Sequence, residues 1–393
     1  MGEKNAVIVS GYRTAIGKFG GSLKDVSASD LGAETIKKNL SSSNINPEIV
    51  DEVIIGCVGQ IAENALISRM CQLKAGIPYS TPALSVNRLC GSGLEAINLA
   101  AMKIKSNNAE IVVAGGTESL SNYPYYVKGA RWGYKFGNGV FEDGVKTVYT
   151  DPVINKIMGE TAESVAKRYS IDRKSQDEFA LLSQNKAIKS IELGKFKDEI
   201  APVKITSKRQ TVIFDTDEYP RHTSIEELSV LKPAFTEECG TVTAGNASGI
   251  NDGAATVIVT SDSFAKKNNL VPLVKIVSYA VCGVEPEYMG IGPVYSTRKA
   301  LKNANLSLSD IDVFEINEAF AAQSLAVIKE LDLPIDKVNV NGGAISLGHP
   351  IGATGAILVV KIINIMKQNK YRYGLVTLCI GGGQGITTIF ELL

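Results

Sequence analysis

Histidine is nearly absent. His222 and His349 are the whole complement of a 393-residue chain, so chemistry that needs an imidazole has two candidates. Neither has neighbours at zinc-ligand spacing, and the six cysteines (57, 71, 90, 239, 282 and 379) include no CxxC pair. That pattern argues against a structural metal site and for free thiols rather than a disulfide framework. Charge of one sign is also missing, since 41 Lys and Arg stand against 41 Asp and Glu. A chain with no net field has no electrostatic claim on nucleic acid or on an acidic membrane. No apolar run approaches the ~18 residues of a membrane span. The opening "MGEKNAVIVSGYRTAIG" lacks a signal-peptide apolar region, Ala6 breaks the myristoylation pattern of Gly2, and the final "IFELL" is no sorting tag. The expectation is a cytoplasmic protein with neither a nucleic-acid partner nor a membrane.

What the chain does contain is β/α alternation. Its length calls for two or three domains. Strand-like runs stand at "AVIVS" (6–10), "EVIIG" (52–56), "EIVVAGG" (110–116), "ATVIVT" (255–260), "DVFEIN" (312–317) and "GLVTLCIGG" (374–382). Between them lie amphipathic segments such as 92–105, where Leu94, Ile97, Ala101 and Ile104 share a face. This pattern predicts an α/β fold with helices covering a largely buried sheet. Three landmarks recur in one order at nearly one offset. Gly56 matches Asn317, Gly93 matches Gly355 and Gly115 matches Gly381, at separations of 261, 262 and 266 residues (317 less 56, 355 less 93, 381 less 115). A duplicated domain is the simplest source of that regularity. The stretch 121–249 has a different texture, aromatic and glycine-rich at 121–144, then charged and helical at 158–196 with Asp172 as a helix cap and a helix opening near Thr161. It reads as an inserted loop domain. The predicted division is 1–120 with 250–272 returning to it, 121–249, and 273–393.

Candidate chemistry gathers at the carboxyl ends of the strand-like runs, where ligands bind in open α/β sheets. In "VNRLCGSGLEAI" (86–97), Cys90 lies between a strand-like run and two glycines that open a helix. A helix N-terminus there favours the thiolate, and free N–H groups beside Gly91 and Gly93 suit an oxyanion. The same letters satisfy a dinucleotide fingerprint, but two strand-like runs precede it and no acidic residue stands clearly at the next strand end. His349 is held between Gly348 and Pro350 in "NVNGGAISLGHPIGATGA" (339–356), Asn317 ends "DVFEIN", and Cys379 precedes the glycines of "CIGGGQG".

Taken together, "VNRLCGSGLEAI", "GTVTAGNASGINDGAA", "EINEAFAAQSLA", "NVNGGAISLGHPIGATGA" and "LCIGGGQG" resemble the signatures of the thiolases, in that family's order and over essentially the whole chain, with "RTAIGKFGGSLKD" and "DRKSQDEFALLSQ" besides. The resemblance implies two similar α/β/α halves in five layers plus a loop domain. It implies an acetyl-CoA C-acetyltransferase that joins two acetyl-CoA reversibly into acetoacetyl-CoA and CoA. Cys90 would be the acylated nucleophile and His349 the acceptor of its proton. Cys379 would be the acid/base at the α-carbon of the second thioester, and Asn317 the holder of a water in the first oxyanion hole. The N–H groups of Cys90 and Gly381 would form the second. The resemblance assigns substrate contacts to Met158, Arg221, Phe235, Ala244, Ser248, Gly249, Met289 and Phe320. It implies no metal and no covalently bound cofactor, with coenzyme A thioesters as substrates, and a homotetramer built through the aromatic loop 123–141.

Three departures stand out. Ile157 occupies the place of a histidine usual in acetoacetyl-CoA thiolases, Thr117 replaces a methionine, and "AENALISRM" keeps only Arg69 of the family pattern there. They leave a longer-chain 3-ketoacyl-CoA thiolase as the alternative, and a non-catalytic acyl-CoA binder as a more distant one. A disulfide between Cys90 and Cys379 under oxidation is a further expectation.

Overall fold

The computed structural model describes residues 4–206, 210–236 and 239–393. The amino-terminal half supplies β1 (Ala6–Arg13), α1 (Ala28–Ser42), β2 (Glu52–Gly56), β3 (Ala83–Val86), α2 (Ser92–Lys105) and β4 (Ile111–Ser119). The inserted stretch holds α3 (Met158–Tyr169) and α4 (Arg173–Glu192) before β5 (Asn251–Ser261). The rest supplies β6 (Val274–Gly283), α5 (Gly292–Ala304), β7 (Val313–Ile316), α6 (Ala321–Leu331), α7 (Ile351–Asn369), β8 (Tyr373–Ile380) and β9 (Gln384–Leu392).

These strands run β7-β8-β9-β6-β1-β5-β4-β2-β3, with the short strand Gly17–Lys18 beside β5. The duplication is visible in that order. Outward from the antiparallel β1–β6 seam, each side repeats two antiparallel pairings and then a parallel one: β1–β5, β5–β4, β4–β2 on one side, β6–β9, β9–β8, β8–β7 on the other. Even β3, parallel to β2, has a vestigial partner in a parallel bridge between Phe314 and Val338. Helix α1 covers one outer face, α5 the other, and α2 and α7 pack together between the two halves. The result is α/β/α/β/α.

The central layer is tight because Gly93 and Gly355, the repeated glycines, face the opposite helix. A methyl on Gly355 would come within 2.5 Å of the Leu94 amide nitrogen, and one on Gly93 within 2.9 Å of that of Ala356. Helix α7 is apolar on all sides because it is core on all sides. It alone among the described helices has the length and hydropathy of a membrane span, against the reading from apolar run length, but it is 83 % buried. Its one interior charge, Lys361, is neutralised by Glu315 at 2.8 Å. Arg13 at the end of β1 is fully buried between Glu199 (2.6 Å) and Asp217 (2.7 Å), which ties the inserted stretch to the sheet.

Local expectations mostly hold, with corrections. Asp172 caps α4 by accepting from the Ser175 amide at 2.7 Å. The preceding helix opens at Met158 rather than at Thr161, whose hydroxyl turns back to the Met158 carbonyl at 2.6 Å.

Candidate active site

Cys90 stands on a strained turn. Between β3 and α2, Leu89 adopts φ 44, a left-handed conformation that a branched apolar residue rarely takes. Local hydrogen bonds pin it. Asn87 Oδ1 accepts from the Leu89 amide (3.0 Å), while Ser92 Oγ accepts from the Arg88 amide (2.8 Å) and donates to the Leu89 carbonyl (2.6 Å). The turn holds the Cys90 thiol in a buried site, with the amides of Cys90 and Gly381 both hydrogen-bonding to its sulfur. Those two amides cannot outweigh their surroundings. Burial pushes the thiol up to about 11, so the reading that a helix N-terminus keeps it ionised is corrected. The buried Glu118 carboxyl adds to the upward shift.

His349 follows Gly348, whose φ of 112 suits glycine alone. Its amide donates to Asn251 Oδ1 at 2.9 Å. The ring's Nδ1 lies 2.6 Å from Thr354 Oγ1, and that hydroxyl donates to the Pro350 carbonyl at 2.9 Å. Thr354 therefore accepts from Nδ1–H, which leaves the Nε2 lone pair free on the other side of the ring. Burial lowers His349 to about 4, so the imidazole rests neutral. Nε2 lies 3.4 Å from Nδ2 of Asn317, whose Oδ1 is buried without a protein partner. Cys379, near the end of β8, is buried and its thiol is raised, first by burial and then by the negative charge Cys90 would carry.

Cys90, His349, Cys379 and Gly381 line one small chamber of about 40 Å³, closed by Met158, Met289 and Phe320. Beyond it lies an outer chamber of about 270 Å³ walled by Phe235, Ser248, Gly249 and Ile157. Met158, Tyr149, Ser248 and Phe320 belong to both. Phe235 and Phe320 meet edge to face at 6.2 Å. Arg221 and Ala244 line neither chamber. The exposed Ala244 carbonyl accepts from the Arg221 guanidinium at 3.4 Å, which also lies over the Tyr219 ring, and that ring abuts Gly249. So they stand one layer outside the channel. His222 is exposed and takes no part.

Two neighbours were not singled out from the sequence. Glu118, at the end of β4, accepts from the amides of Val58 (2.9 Å), Gly59 (3.1 Å) and Gly352 (2.9 Å) and from the Tyr123 hydroxyl (2.9 Å). It joins the first turn of α7 to the opposite half. Tyr149 is the second; a lone tyrosine in a loop sends no periodic signal. Among the described residues no group of three or more His, Cys, Asp or Glu could hold a metal.

Comparison with known proteins identifies the family. Residues 6–263 match the model of the thiolase N-terminal domain and residues 270–392 that of the thiolase C-terminal domain. The chain belongs to the thiolase family. It is 48 % identical over 390 residues to beta-ketothiolase BktB of Cupriavidus necator, covering 99 % of each chain. The crystal structure of the Bacillus anthracis acetyl-CoA acetyltransferase superposes with a TM-score of 0.98 at 45 % identity, over 100 % of this thiolase and 99 % of that chain. Human mitochondrial 3-ketoacyl-CoA thiolase in complex with CoA superposes with a TM-score of 0.95 at 43 % identity, over 99 % and 98 %.

Proposed function

We propose that this thiolase is an acetyl-CoA C-acetyltransferase, making acetoacetyl-CoA and free CoA from two acetyl-CoA, reversibly, through an acyl group on Cys90. The observation that carries the reading is the convergence of the Cys90 and Gly381 amides on a thiol that shares a chamber with His349 and Cys379. At rest both thiols and the imidazole are neutral. As the Cys90 sulfur attacks the thioester carbonyl, its proton passes to His349 Nε2, while Cys379 gives its own proton to the departing CoA sulfur and is left as a thiolate. The displaced carbonyl oxygen first gains an Nε2–H donor, beside a water on the unpartnered Oδ1 of Asn317. In the acyl-enzyme the carbonyl oxygen turns to the amides of Cys90 and Gly381, donors fixed before charge develops. A second acetyl-CoA loses an α-proton to the Cys379 thiolate and its carbanion attacks the acyl carbon, expelling the Cys90 thiolate, which takes back the proton held on His349 Nε2. A thiol nucleophile suits the task, because exchange between thioesters has little intrinsic bias.

The inner chamber is small, about 40 Å³, which suits a short acyl group such as acetyl. The alternative, cleavage of longer 3-ketoacyl chains, draws on Ile157 as an apolar wall of the outer chamber. Thiolysis of acetoacetyl-CoA and of longer 3-ketoacyl-CoA esters, followed by enolate absorbance, separates them. A flat trace at every chain length defeats both. For assembly, the proposal is a homotetramer in the cytoplasm, with the loop domain 121–249 contributing both the CoA contacts and the interface. Trp132 (85 % exposed), Phe136 (101 %) and Phe141 (75 %) support the interface, since single chains rarely leave so much apolar surface wet. Light scattering that gives a dimer removes it.

A further inference from the structure

The second oxyanion hole is split between two turns. The Cys90 amide belongs to the turn that leads into α2, and the Gly381 amide to the turn between β8 and β9, in the other half of the chain. In the resting enzyme the Cys90 sulfur joins them, since it accepts from both amides. Acylation removes that tie, because a thioester sulfur is a poor acceptor and the two amides must now serve the carbonyl oxygen. The separation of the turns then has to be held by something else. The β8–β9 turn does not hold itself. Gly382 and Gly383 both have φ of 81, and a methyl on Gly382 would meet nothing within 4 Å, so the tip is unpacked. The Gly383 carbonyl accepts from the Val284 amide at 2.7 Å, which ties the tip to the end of β6 rather than to Cys90. Ile380 packs against Gly91 across the gap, but apolar contact is non-directional.

Among the described residues, one hydrogen bond besides those to the sulfur crosses between the turns. Arg88, just before Cys90, donates from Nη1 to Gln384 Oε1 at 3.0 Å, at the start of β9. Its Nη2 meets Glu95 Oε1 at 3.1 Å in the first turn of α2. The buried Nε–H pairs with nothing, so the guanidinium is aimed by its two ends. The Arg88 and Glu95 side chains are 31 % and 13 % exposed, and ion pairs open to water add little to stability. A rigid planar fork that reaches two partners at once suits alignment. We propose that Arg88 is a positioning residue for the second half of the reaction: through Gln384 it holds the Gly381 amide at the distance from the Cys90 amide that one acyl carbonyl oxygen requires. The inference rests on the acyl-transfer reading above and adds to it a residue that lines neither chamber. Because the sulfur joins the turns before acylation and not after, the contribution of Arg88 falls on the acyl-enzyme.

Arg88→Met and Gln384→Leu break this bond from its two ends, and the double variant breaks it once. Acylation by acetyl-CoA is timed by intact mass and CoA release. The isolated acyl-enzyme is then mixed with fresh acetyl-CoA, and transfer is followed in a single turnover. Acylation should be nearly unchanged in each variant, while transfer slows by about tenfold, short of the roughly 10²–10³ for losing a donor outright. With acetyl-CoA labelled with ¹³C at the carbonyl, the infrared carbonyl band of the acyl-enzyme should move to higher wavenumber, because a looser donor polarises the bond less. The double variant should be no slower than the slower single one, since both remove the same interaction. Transfer as fast as in the wild type overturns the inference. Equal losses in both half-reactions, an unmoved carbonyl band or additive losses would give the pair a merely structural role and overturn it too. If Arg88→Met fails to fold, Gln384→Leu, which changes no charge, decides by the rates and the band alone. No acyl-enzyme in the wild type would instead defeat the acyl-transfer reading on which this one stands.

Discussion

Two neutral thiols and a neutral imidazole define how this site should respond to pH. Cys90, ordinarily near 9.0, is held at about 11, so its alkylation by iodoacetamide in the free enzyme should be slow at neutral pH and still rising above pH 9. A plateau by pH 7 would restore the ionised thiol that the helix N-terminus suggested. The stability consequences follow by linkage. The unfolded thiol ionises first, so what the protonated Cys90 contributes below pH 9.0 is lost as pH rises towards about 11. His349 acts at the other end. Its folded value of about 4 lies below the ordinary 6.5, so the unfolded chain binds the extra proton and stability drops as pH falls between them. Asn317→Ala removes the proposed anchor of the first oxyanion hole and should slow condensation by about 10²–10³. Acyl-enzyme burst and steady-state condensation, measured side by side, check it, and a variant as fast as the wild type in both would detach Asn317 from the chemistry. The residue types and their order were legible in the sequence. Leu89's left-handed backbone was not, because a leucine carries no turn signal, and neither was the place of Tyr149 in the chamber wall, because a lone loop tyrosine sends no periodic signal.

At the scale of elements, what could be read followed from how each segment is buried. "EVIIG" is fully recovered as β2, and α2 begins and ends with the predicted segment 92–105, its four apolar landmarks all buried. Strand β6 escaped notice because its burial alternates, so half of its side chains are polar or wet. Strand β3 was anticipated as a strand-like run before Cys90 but without bounds, because four partly exposed residues make no pattern. The repeated glycines were visible as a repeat, but their cause is the approach of α2 and α7. Gly355→Ala, which sets a methyl against backbone rather than against a yielding side chain, should cost at least the ~1–3 kcal/mol of ordinary overpacking. Urea unfolding measures it, and a midpoint within error of the wild type would mean that the two helices can part.

For the whole molecule, the inserted stretch is joined to the sheet by buried charge as well as by packing. Arg13 meets two carboxylates from residues 199 and 217, all three out of water. Arg13→Met would strand both acids and should destabilise the fold by about 3–5 kcal/mol, read as a shift in denaturation midpoint. An unshifted midpoint would mean that the acids are protonated or find other donors. No sequence pattern announces such a triad, since Arg13 lies 186 and 204 positions from its two partners.

The near-mirror order of the sheet has one more effect. Cys90 stands just before Gly91, the N-cap of α2, and Ile351, the first residue of α7, is in the wall of the same chamber. Two positive helix ends, one from each half, therefore lie beside the chamber where the proposed chemistry puts negative charge on oxygen. Neither copy could have concentrated that field alone. The joining of two similar folds thus supplied an electrostatic lens, and the side chains that now react had only to be placed at its focus.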